Sequence, residues 1–323
     1  MKAVVYRGPK KMKPEDVPEP EPAQNEVLVR FKAGSICGTD IHYYRGEWKS
    51  LKIGRIIGHD ASGQIMETAQ RAAIVPFVSC GACRYCLEGR PNVCEKWSIM
   101  GFNRDGCFSE LIAVPRENLL PIPNNVTYEE AAILEPVALA LHTFDLLQPR
   151  FGQWATIVGQ GPIGLVMTQV ARASGCRVIA IDLEDYRLAI SENYGAEVCI
   201  NPKSQNVVEK VRTITDGGSG IVVEAAGKKE TVEQTSKLVS RTGKVALVGE
   251  SSGTMKFEGE ATFFGVWLNP LKYALALDSL SKGIIDVRGL ITHRFPLTDF
   301  ERAIETATDT EKSPVKVILQ EEH

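Results

Sequence analysis

The chain has 323 residues, 44% of them hydrophobic and 24% charged, and a formal net charge of −3 at pH 7. This is the composition of an ordinary globular protein longer than one usual core, so we expect two domains, and the small net charge argues against nucleic acid as a partner. The sequence has neither an apolar run long enough to span a membrane nor a signal peptide at its start, so we expect a cytoplasmic protein with no membrane partner.

Short segments broken by proline and glycine predict an all-β, barrel-like domain over residues 1–148. Its clearest strands are 27–31, 62–66, 73–75 and 110–114.

Candidate metal ligands are dispersed along this domain: Cys37, the adjacent His59 and Asp60, and Glu135. Each has a simple structural explanation alone, because a lone cysteine is usually a core residue and a lone histidine is usually hydrogen-bonded. Together a thiolate, an imidazole and carboxylates form the mixed ligand set of a catalytic zinc that keeps an open coordination position.

Four of the eight cysteines crowd into one short loop. They are Cys80, Cys83, Cys86 and Cys94. In a chain without an export signal this crowding favours a metal over disulfides. Four thiolates close a tetrahedron around Zn²⁺ and leave no position for substrate, so we predict a structural zinc; incidental cysteines or an iron–sulfur cluster are the alternatives.

From residue 149 to 287 buried strands alternate with helical stretches, which predicts a doubly wound parallel sheet. The strands are 155–158, 178–181, 221–223 and 245–248, and segment 262–267 could pair with a second copy of the chain. The remaining residues, 288–323, predict a helix at 297–307 and a strand at 315–319 that returns to the first domain.

A glycine-rich turn joins the first strand of this second domain to a helix. Its residues are Gly159, Gly161, Pro162, Ile163 and Gly164. The glycines permit a tight turn and let amides at the helix start approach a pyrophosphate. Asp182 ends the next strand, where a carboxylate holds ribose hydroxyls and repels a 2′-phosphate, so the predicted cofactor is NAD and not NADP. Arg187 is weak evidence against the choice of NAD over NADP. We include it in the predicted cofactor site, although its simpler explanation is that it lies on a solvent-exposed face of a helix.

These motifs resemble the zinc-containing medium-chain dehydrogenase/reductase (alcohol dehydrogenase) superfamily from the first strand to the last. The matching segments are 37–42, 58–59, the four-cysteine loop, 105–110, the glycine-rich turn and 291–297. The resemblance implies an α/β fold in which a GroES-like β-barrel catalytic domain carries both of two zinc ions and a Rossmann doubly wound parallel sheet binds the cofactor. It also implies a homodimer or homotetramer.

Glu135, followed by proline, resembles the polyol (sorbitol-type) and L-threonine dehydrogenase branches. The implied function is hydride transfer from a secondary alcohol, such as a polyol or sugar alcohol, to NAD. Cys37, His59 and Glu135 would hold the catalytic zinc, with Asp60 as a conditional fourth ligand or outer acid, while Thr39 and His42 would relay the proton to solvent. L-Threonine 3-dehydrogenase is the near alternative, and a non-catalytic NAD- and zinc-binding sensor or scaffold is the alternative of a different class.

The sequence departs from the family pattern at several positions. Asp60 stands where a glutamate is usual, and Cys107 stands where a glycine is usual. The chain is also short between residues 68 and 73 and again near 251–261, as if loops were truncated or missing.

Overall fold

The computed structural model describes residues 1–249 and 253–322. The strands are β1 (Lys2–Tyr6), β2 (Met12–Asp16), β3 (Glu26–Ser35), β4 (Ala61–Ile65), β5 (Arg71–Ile74), β6 (Phe77–Val78), β7 (Ser98–Ile99), β8 (Leu111–Pro115), β9 (Leu119–Pro121), β10 (Trp154–Val158), β11 (Arg177–Ile181), β12 (Val198–Ile200), β13 (Ser219–Glu224), β14 (Val239–Leu247), β15 (Thr262–Gly265), β16 (Ile291–Pro296) and β17 (Lys316–Gln320). The helices are α1 (Gly38–Arg45), α2 (Arg84–Leu87), α3 (Tyr128–Ala131), α4 (Leu134–Leu147), α5 (Pro162–Ala173), α6 (Asp185–Asn193), α7 (Val207–Ile214), α8 (Lys229–Leu238), α9 (Tyr273–Ser281) and α10 (Phe300–Thr308).

The chain divides into two compact units, Met1–Glu135 with Asn269–His323, and Pro136–Leu268. The predicted domains were 1–148, 149–287 and 288–323, so α4 and α9 fall in different groups under the two divisions. The predicted boundary lies where the residue pattern changes to buried strands. The division into compact units instead follows the contacts that each helix makes. The domain bounds themselves stay a prediction.

The second unit is built on a six-stranded sheet in the order β12-β11-β10-β13-β14-β15, with every neighbouring pair parallel. This strand order is that of the Rossmann fold. The strands are apolar on both faces because helices cover both sides of such a sheet. Val158, Ile179 and Val222 accordingly lie in its hydrophobic core. The predicted doubly wound parallel sheet is confirmed.

The first unit is mainly antiparallel. Its seven-stranded sheet runs β16-β17-β3-β4-β5-β9, with β8 also paired to β3. Strand β17 pairs antiparallel with β3 through Ile318 and Ser35, so β17 is part of the same sheet as β3. Phe31, Phe108 and Phe300 are fully buried in the core beneath the sheet.

The predicted shortfall between residues 68 and 73 is a closed hairpin between β4 and β5. The Ile65 amide donates to the Gln70 carbonyl at 2.9 Å, and Ala69 takes a positive φ of 57° to complete the tight turn. The loop between β4 and β5 is therefore short and closed by this hydrogen bond. The second predicted shortfall, near 251–261, begins at residues that lie outside the described ranges.

Across residues 1–249 and 253–322, each helix is either too short or too polar to cross a lipid bilayer.

Candidate functional site

The four crowded cysteines surround one point. Their sulfur atoms all lie within 4.8 Å of one another. The Sγ atoms of Cys83 and Cys86 are 3.5 Å apart, those of Cys94 and Cys80 are 3.5 Å apart, and those of Cys83 and Cys94 are 3.8 Å apart. Sulfurs at the corners of a tetrahedron with a zinc–sulfur distance of about 2.3 Å are separated by about 3.8 Å. The sulfur positions thus match a four-thiolate metal site.

Backbone amides point at these sulfurs and favour their ionised form. The Cys83 amide lies 3.3 Å from Cys80 Sγ, and the Lys96 amide lies 3.3 Å from Cys94 Sγ. Amide donors from Cys86 and Glu95 lower the pKa of Cys83 to about 6, whereas burial and neighbouring thiols raise the pKa of Cys86 to about 12. Four close thiols cannot all ionise together without a cation, so the donor set fits a divalent metal.

A second cluster lies between β3, the loop before β4, and α1. One ligand atom each from Cys37, His59 and Asp60 lies within 4.8 Å of the other two. His59 is 6% exposed and Asp60 is 3% exposed. The structure therefore brings together three of the predicted catalytic ligands in a largely water-excluded position.

Local geometry explains why each ligand points inward. Cys37 is the N-cap of α1, and its amide donates to Asp40 Oδ2 at 2.9 Å, so a buried carboxylate fixes the turn. Gly58 precedes His59 with φ of 88°, and a β-carbon there would lie 2.3 Å from the Phe108 ring. Glycine is required at this position because no other residue fits the left-handed backbone and the close ring.

The charges in this cluster favour a bound cation. Burial lowers the pKa of His59, but the negative groups Asp60 and Cys37 outweigh it and raise that pKa to about 10. The cluster therefore concentrates negative charge around the imidazole, and its thiol, imidazole and carboxylate groups are donors that suit zinc.

Glu135, at the start of α4, lies near this cluster but outside the group of three close ligand atoms. Burial and the charge of Asp60 raise its pKa to about 7, and His59 and Lys316 partly offset that rise. The predicted third ligand is thus close enough to feel the charges of the other residues.

Asp60 has a partner that the sequence interpretation missed. Lys316 Nζ lies 3.3 Å from Asp60 Oδ2 and donates to Ser35 Oγ at 2.6 Å; the Lys316 and Asp60 side chains are 3% and 1% exposed. Burial lowers the pKa of Lys316, but Asp60, Cys37 and Glu135 more than compensate, so the lysine stays charged. A lysine in the apolar run 315–319 was a signal that could have identified it, since buried lysines require a counter-ion.

Tyr273, the first residue of α9, was also missed. Burial and the charges of Glu135 and Asp60 raise the pKa of its phenol well above the usual value, which places it in the electrostatic surroundings of the cluster. No sequence motif marks it, because it is far from the other site residues along the chain.

The predicted relay residues lie on α1. Thr39 Oγ1 is 3.8 Å from Cys37 Sγ, next to the cluster. His42, in the last turn, is partly exposed, its Nδ1 pairs with Glu47 Oε2, and its ring stacks on Trp48 at 4.7 Å. His42 therefore has one ring nitrogen engaged and its orientation fixed from two sides.

Cys107 is buried in the core and does not take a positive φ, so the cysteine fits where the family has a glycine.

The glycine-rich turn lies between β10 and α5. Gly159 has φ of 91°, Gly161 is the N-cap of α5, and Pro162 occupies its first turn. A β-carbon on Gly164 would lie 1.8 Å from the Gly159 carbonyl oxygen, so the helix packs on the turn only with glycine there. Ile163 is the second residue of α5. The five predicted residues therefore form the turn and the N-terminal end of this helix, which exposes backbone amides.

Asp182 lies directly beside this turn. Its carboxylate accepts the Gln160 amide at 2.6 Å and the Glu184 amide at 2.9 Å. Arg187 Nη1 is 4.0 Å from Asp182 Oδ2, and the arginine side chain is only 24% exposed. The arginine thus faces the turn and is not part of a solvated helix face.

Two protein-family models match this chain. Residues 23–124 match the alcohol dehydrogenase GroES-like domain, and residues 162–306 match the zinc-binding dehydrogenase domain. A sorbitol dehydrogenase of Bacillus subtilis is 31% identical over 99% of this chain and 97% of its own length. An L-threonine 3-dehydrogenase of Bacillus licheniformis is 33% identical over 90% of each chain.

Solved structures agree with these matches. A short chain alcohol dehydrogenase from E. coli CFT073, complexed with NADH, superposes with a TM-score of 0.92 and 31% identity over 99% of each chain. A zinc-binding dehydrogenase from Sinorhizobium meliloti 1021, bound to NADP, gives a TM-score of 0.89 and 30% identity over 99% of this chain and 98% of that one.

Proposed function

The chain belongs to the zinc-binding alcohol dehydrogenase family, and on that premise we propose that it is an NAD-dependent oxidoreductase that takes hydride from a secondary alcohol of the polyol or sugar-alcohol class. The cluster of Cys37, His59 and Asp60 carries this proposal. These residues converge to within 4.8 Å in a buried position whose charges demand a cation.

Cys37, His59 and Glu135 are the proposed protein ligands of a catalytic zinc. Asp60 is the outer carboxylate, because its Oδ2 is already paired with the Lys316 ammonium. Three protein ligands leave one position for the substrate oxygen, as in other catalytic zinc sites. The four-cysteine loop is the proposed site of a second, structural zinc.

When bound, zinc supplies Lewis-acid catalysis, which lowers the pKa of a coordinated hydroxyl. Thr39, whose oxygen lies beside Cys37, would accept this proton while releasing its own hydroxyl proton through the cofactor ribose towards His42. His42 passes the proton on to solvent. The Glu47 carboxylate holds His42 Nδ1, so His42 Nε2 is the nitrogen free to accept it.

NAD supplies the hydride acceptor. The amides of the turn at Gly159 and the start of α5 bind its pyrophosphate, and Asp182 binds its ribose. The carboxylate of Asp182 disfavours a 2′-phosphate, whereas Arg187 beside it attracts one. The NADH and NADP complexes of the two similar structures show that relatives of this chain bind either form; we propose NAD because Asp182 is the nearer group to the turn.

L-Threonine is the second candidate substrate, supported by the 33% identical L-threonine 3-dehydrogenase. Polyols and L-threonine are both oxidised at a secondary hydroxyl, so the same proposed site residues would act on either substrate. A homodimer or homotetramer is the proposed assembly, with the edge strand β15 available for pairing.

Reduction of NAD⁺ by a panel of polyols, L-threonine and simple alcohols tests the proposal, on protein whose zinc content is measured in the same preparation. We expect reduction with polyols, loss of turnover in Cys37→Ser, and normal NADH binding by that variant. Cys199→Ser, which changes a cysteine of the second unit, is the matched control and should turn over normally. Turnover that survives Cys37→Ser, or protein with both zincs that oxidises nothing in the panel, would contradict the proposal.

A further inference from the structure

Tyr273 carries a buried hydroxyl that the protein does not satisfy. The residue is 1% exposed, and its hydroxyl has no hydrogen-bond partner among residues 1–249 and 253–322. Buried polar atoms are almost always paired in native proteins, and the rare exceptions require a specific explanation. A bound ligand that completes the hydrogen bond is one such explanation.

The surroundings of the phenol identify the kind of ligand. Burial raises the pKa of the phenol most, and Glu135 and Asp60 raise it further, so Tyr273 belongs to the surroundings of the proposed catalytic cluster. These same charges disfavour its ionisation, and a neutral phenol can donate a hydrogen bond. The unpaired group is therefore a hydrogen-bond donor in the surroundings of the proposed catalytic cluster, and it requires an oxygen acceptor.

The hydroxyl that is oxidised already has partners in this site. Under the proposed function, Cys37 and His59 would hold the metal that binds its oxygen, and its proton would leave through Thr39. A second hydroxyl on the neighbouring carbon of a polyol has no such partner from these residues. Burying it unpaired would weaken binding, so a donor directed at that oxygen favours a diol over a simple alcohol.

We propose that Tyr273 is the specificity residue for vicinal diols, with its hydroxyl donating a hydrogen bond to the substrate oxygen next to the one that is oxidised. This assignment rests on the proposed alcohol dehydrogenase function. It narrows the substrate class to alcohols with two adjacent hydroxyl groups.

Two substrates with the same carbon skeleton test this role. Wild type and Tyr273→Phe are compared on butane-2,3-diol and on butan-2-ol. For the diol, kcat/KM should fall by roughly 10- to 100-fold in the variant, because a site built to bond a hydroxyl loses that discrimination when the bond is removed. For the mono-alcohol, kcat/KM should change by less than about threefold, because no such bond exists to lose.

Tyr6→Phe is the matched control, since Tyr6 is a buried tyrosine in β1 and belongs to the core of the first unit, and kcat/KM for both substrates should be unaffected by it. The Tyr273→Phe protein should unfold at the wild-type temperature or above it, because phenylalanine keeps the ring and removes an unpaired hydroxyl. A lower unfolding temperature would mean that the hydroxyl has a partner within the protein, and would overturn the assignment.

The outcomes separate the two proposals. An equal fall in kcat/KM on both substrates, or no fall on either, refutes the role of Tyr273 while leaving the dehydrogenase function in place. A zinc-loaded wild-type protein that oxidises neither these alcohols nor any in the wider panel refutes the dehydrogenase function itself.

Discussion

Lys316 places a positive charge inside the first unit beside the proposed catalytic cluster. Its ammonium group bonds Asp60 and Ser35, and both charged side chains of the pair are nearly inaccessible to water. Taking two charges out of water is costly, and the pair is tolerated because each partner satisfies the other. Breaking such a pair leaves the remaining charge buried and uncompensated.

Lys316→Met should therefore destabilise the protein by about 3–5 kcal/mol, measured by denaturant unfolding of protein with its metals bound. The control is Lys312→Met, four residues earlier. Lys312 lies 3.6 Å from Asp309 in a pair whose side chains are 51% and 38% exposed. An exposed pair contributes about 0–1 kcal/mol, so this control should lose little stability. Similar losses in the two variants would show that burial of the Lys316 pair has no special effect.

Individual site residues were predictable only where local sequence carries a motif. Cys37, His59 and the cysteine loop stand in short patterns whose spacing indicates metal binding. Lys316 and Tyr273 come from elements far along the chain, and they enter the site only because β17 and α9 belong to the first unit. The lysine in the apolar run 315–319 indicates a buried charge, but sequence spacing does not show which residues lie beside it.

At the scale of elements, the segment from β10 to β11 forms the proposed nucleotide site. The turn needs Gly159 for its positive φ and Gly164 for the close packing of α5. Asp182 directly follows β11. Its carboxylate accepts hydrogen bonds from the Gln160 amide, in the glycine-rich turn, and from the Glu184 amide, just before α6. One carboxylate therefore shapes the turn and lies at the proposed ribose position.

Asp182→Ser should relax the preference for NAD. Removing the carboxylate removes the repulsion of a 2′-phosphate, and Arg187 then lies beside the vacant position. We expect the ratio of the NADPH and NADH dissociation constants to fall by roughly tenfold or more, an effect of about 1.4 kcal/mol or more. Titration of each nucleotide by fluorescence measures both constants.

Asp185→Asn is the matched control because Asp185 lies in the first turn of α6 and accepts a hydrogen bond from Asn201 at 2.6 Å. Its nucleotide preference should match that of the wild type. If Asp182→Ser left the ratio unchanged, Asp182 would not select the cofactor.

Elements with a strong pattern were predicted closely. The buried strands β10, β11 and β13 include the predicted 155–158, 178–181 and 221–223, because a strand covered on both faces is an apolar run bounded by turn residues. Ends were less accurate: the helix predicted at 297–307 is α10, which begins at Phe300. The preceding residues form a short 3₁₀ turn, and such turns share the helical apolar spacing.

At the scale of the whole molecule, each unit has a hydrophobic core of its own. Both candidate metal sites belong to the first unit, and the glycine-rich turn belongs to the second. We therefore expect that metal binding and nucleotide binding can be perturbed one at a time.

Cys94→Ser should remove the metal of the cysteine loop and leave nucleotide binding intact. Cys94 is 2% exposed, and its sulfur accepts the amides of Cys80 and Lys96, so it anchors the loop. Because a structural zinc contributes its binding free energy to folding, we expect a loss of at least about 3 kcal/mol, or roughly 6–12 °C in unfolding temperature.

Metal content by mass spectrometry should fall by one zinc per chain, while the NADH dissociation constant should stay within about twofold of the wild type, since the sheet of the second unit has its own core. Cys199→Ser should keep its full metal content, because Cys199 lies in β12, outside both candidate metal sites. Full zinc content in Cys94→Ser would argue against the closed four-thiolate site. Loss of NADH binding together with the metal would instead show that the second unit depends on the cysteine loop for its structure.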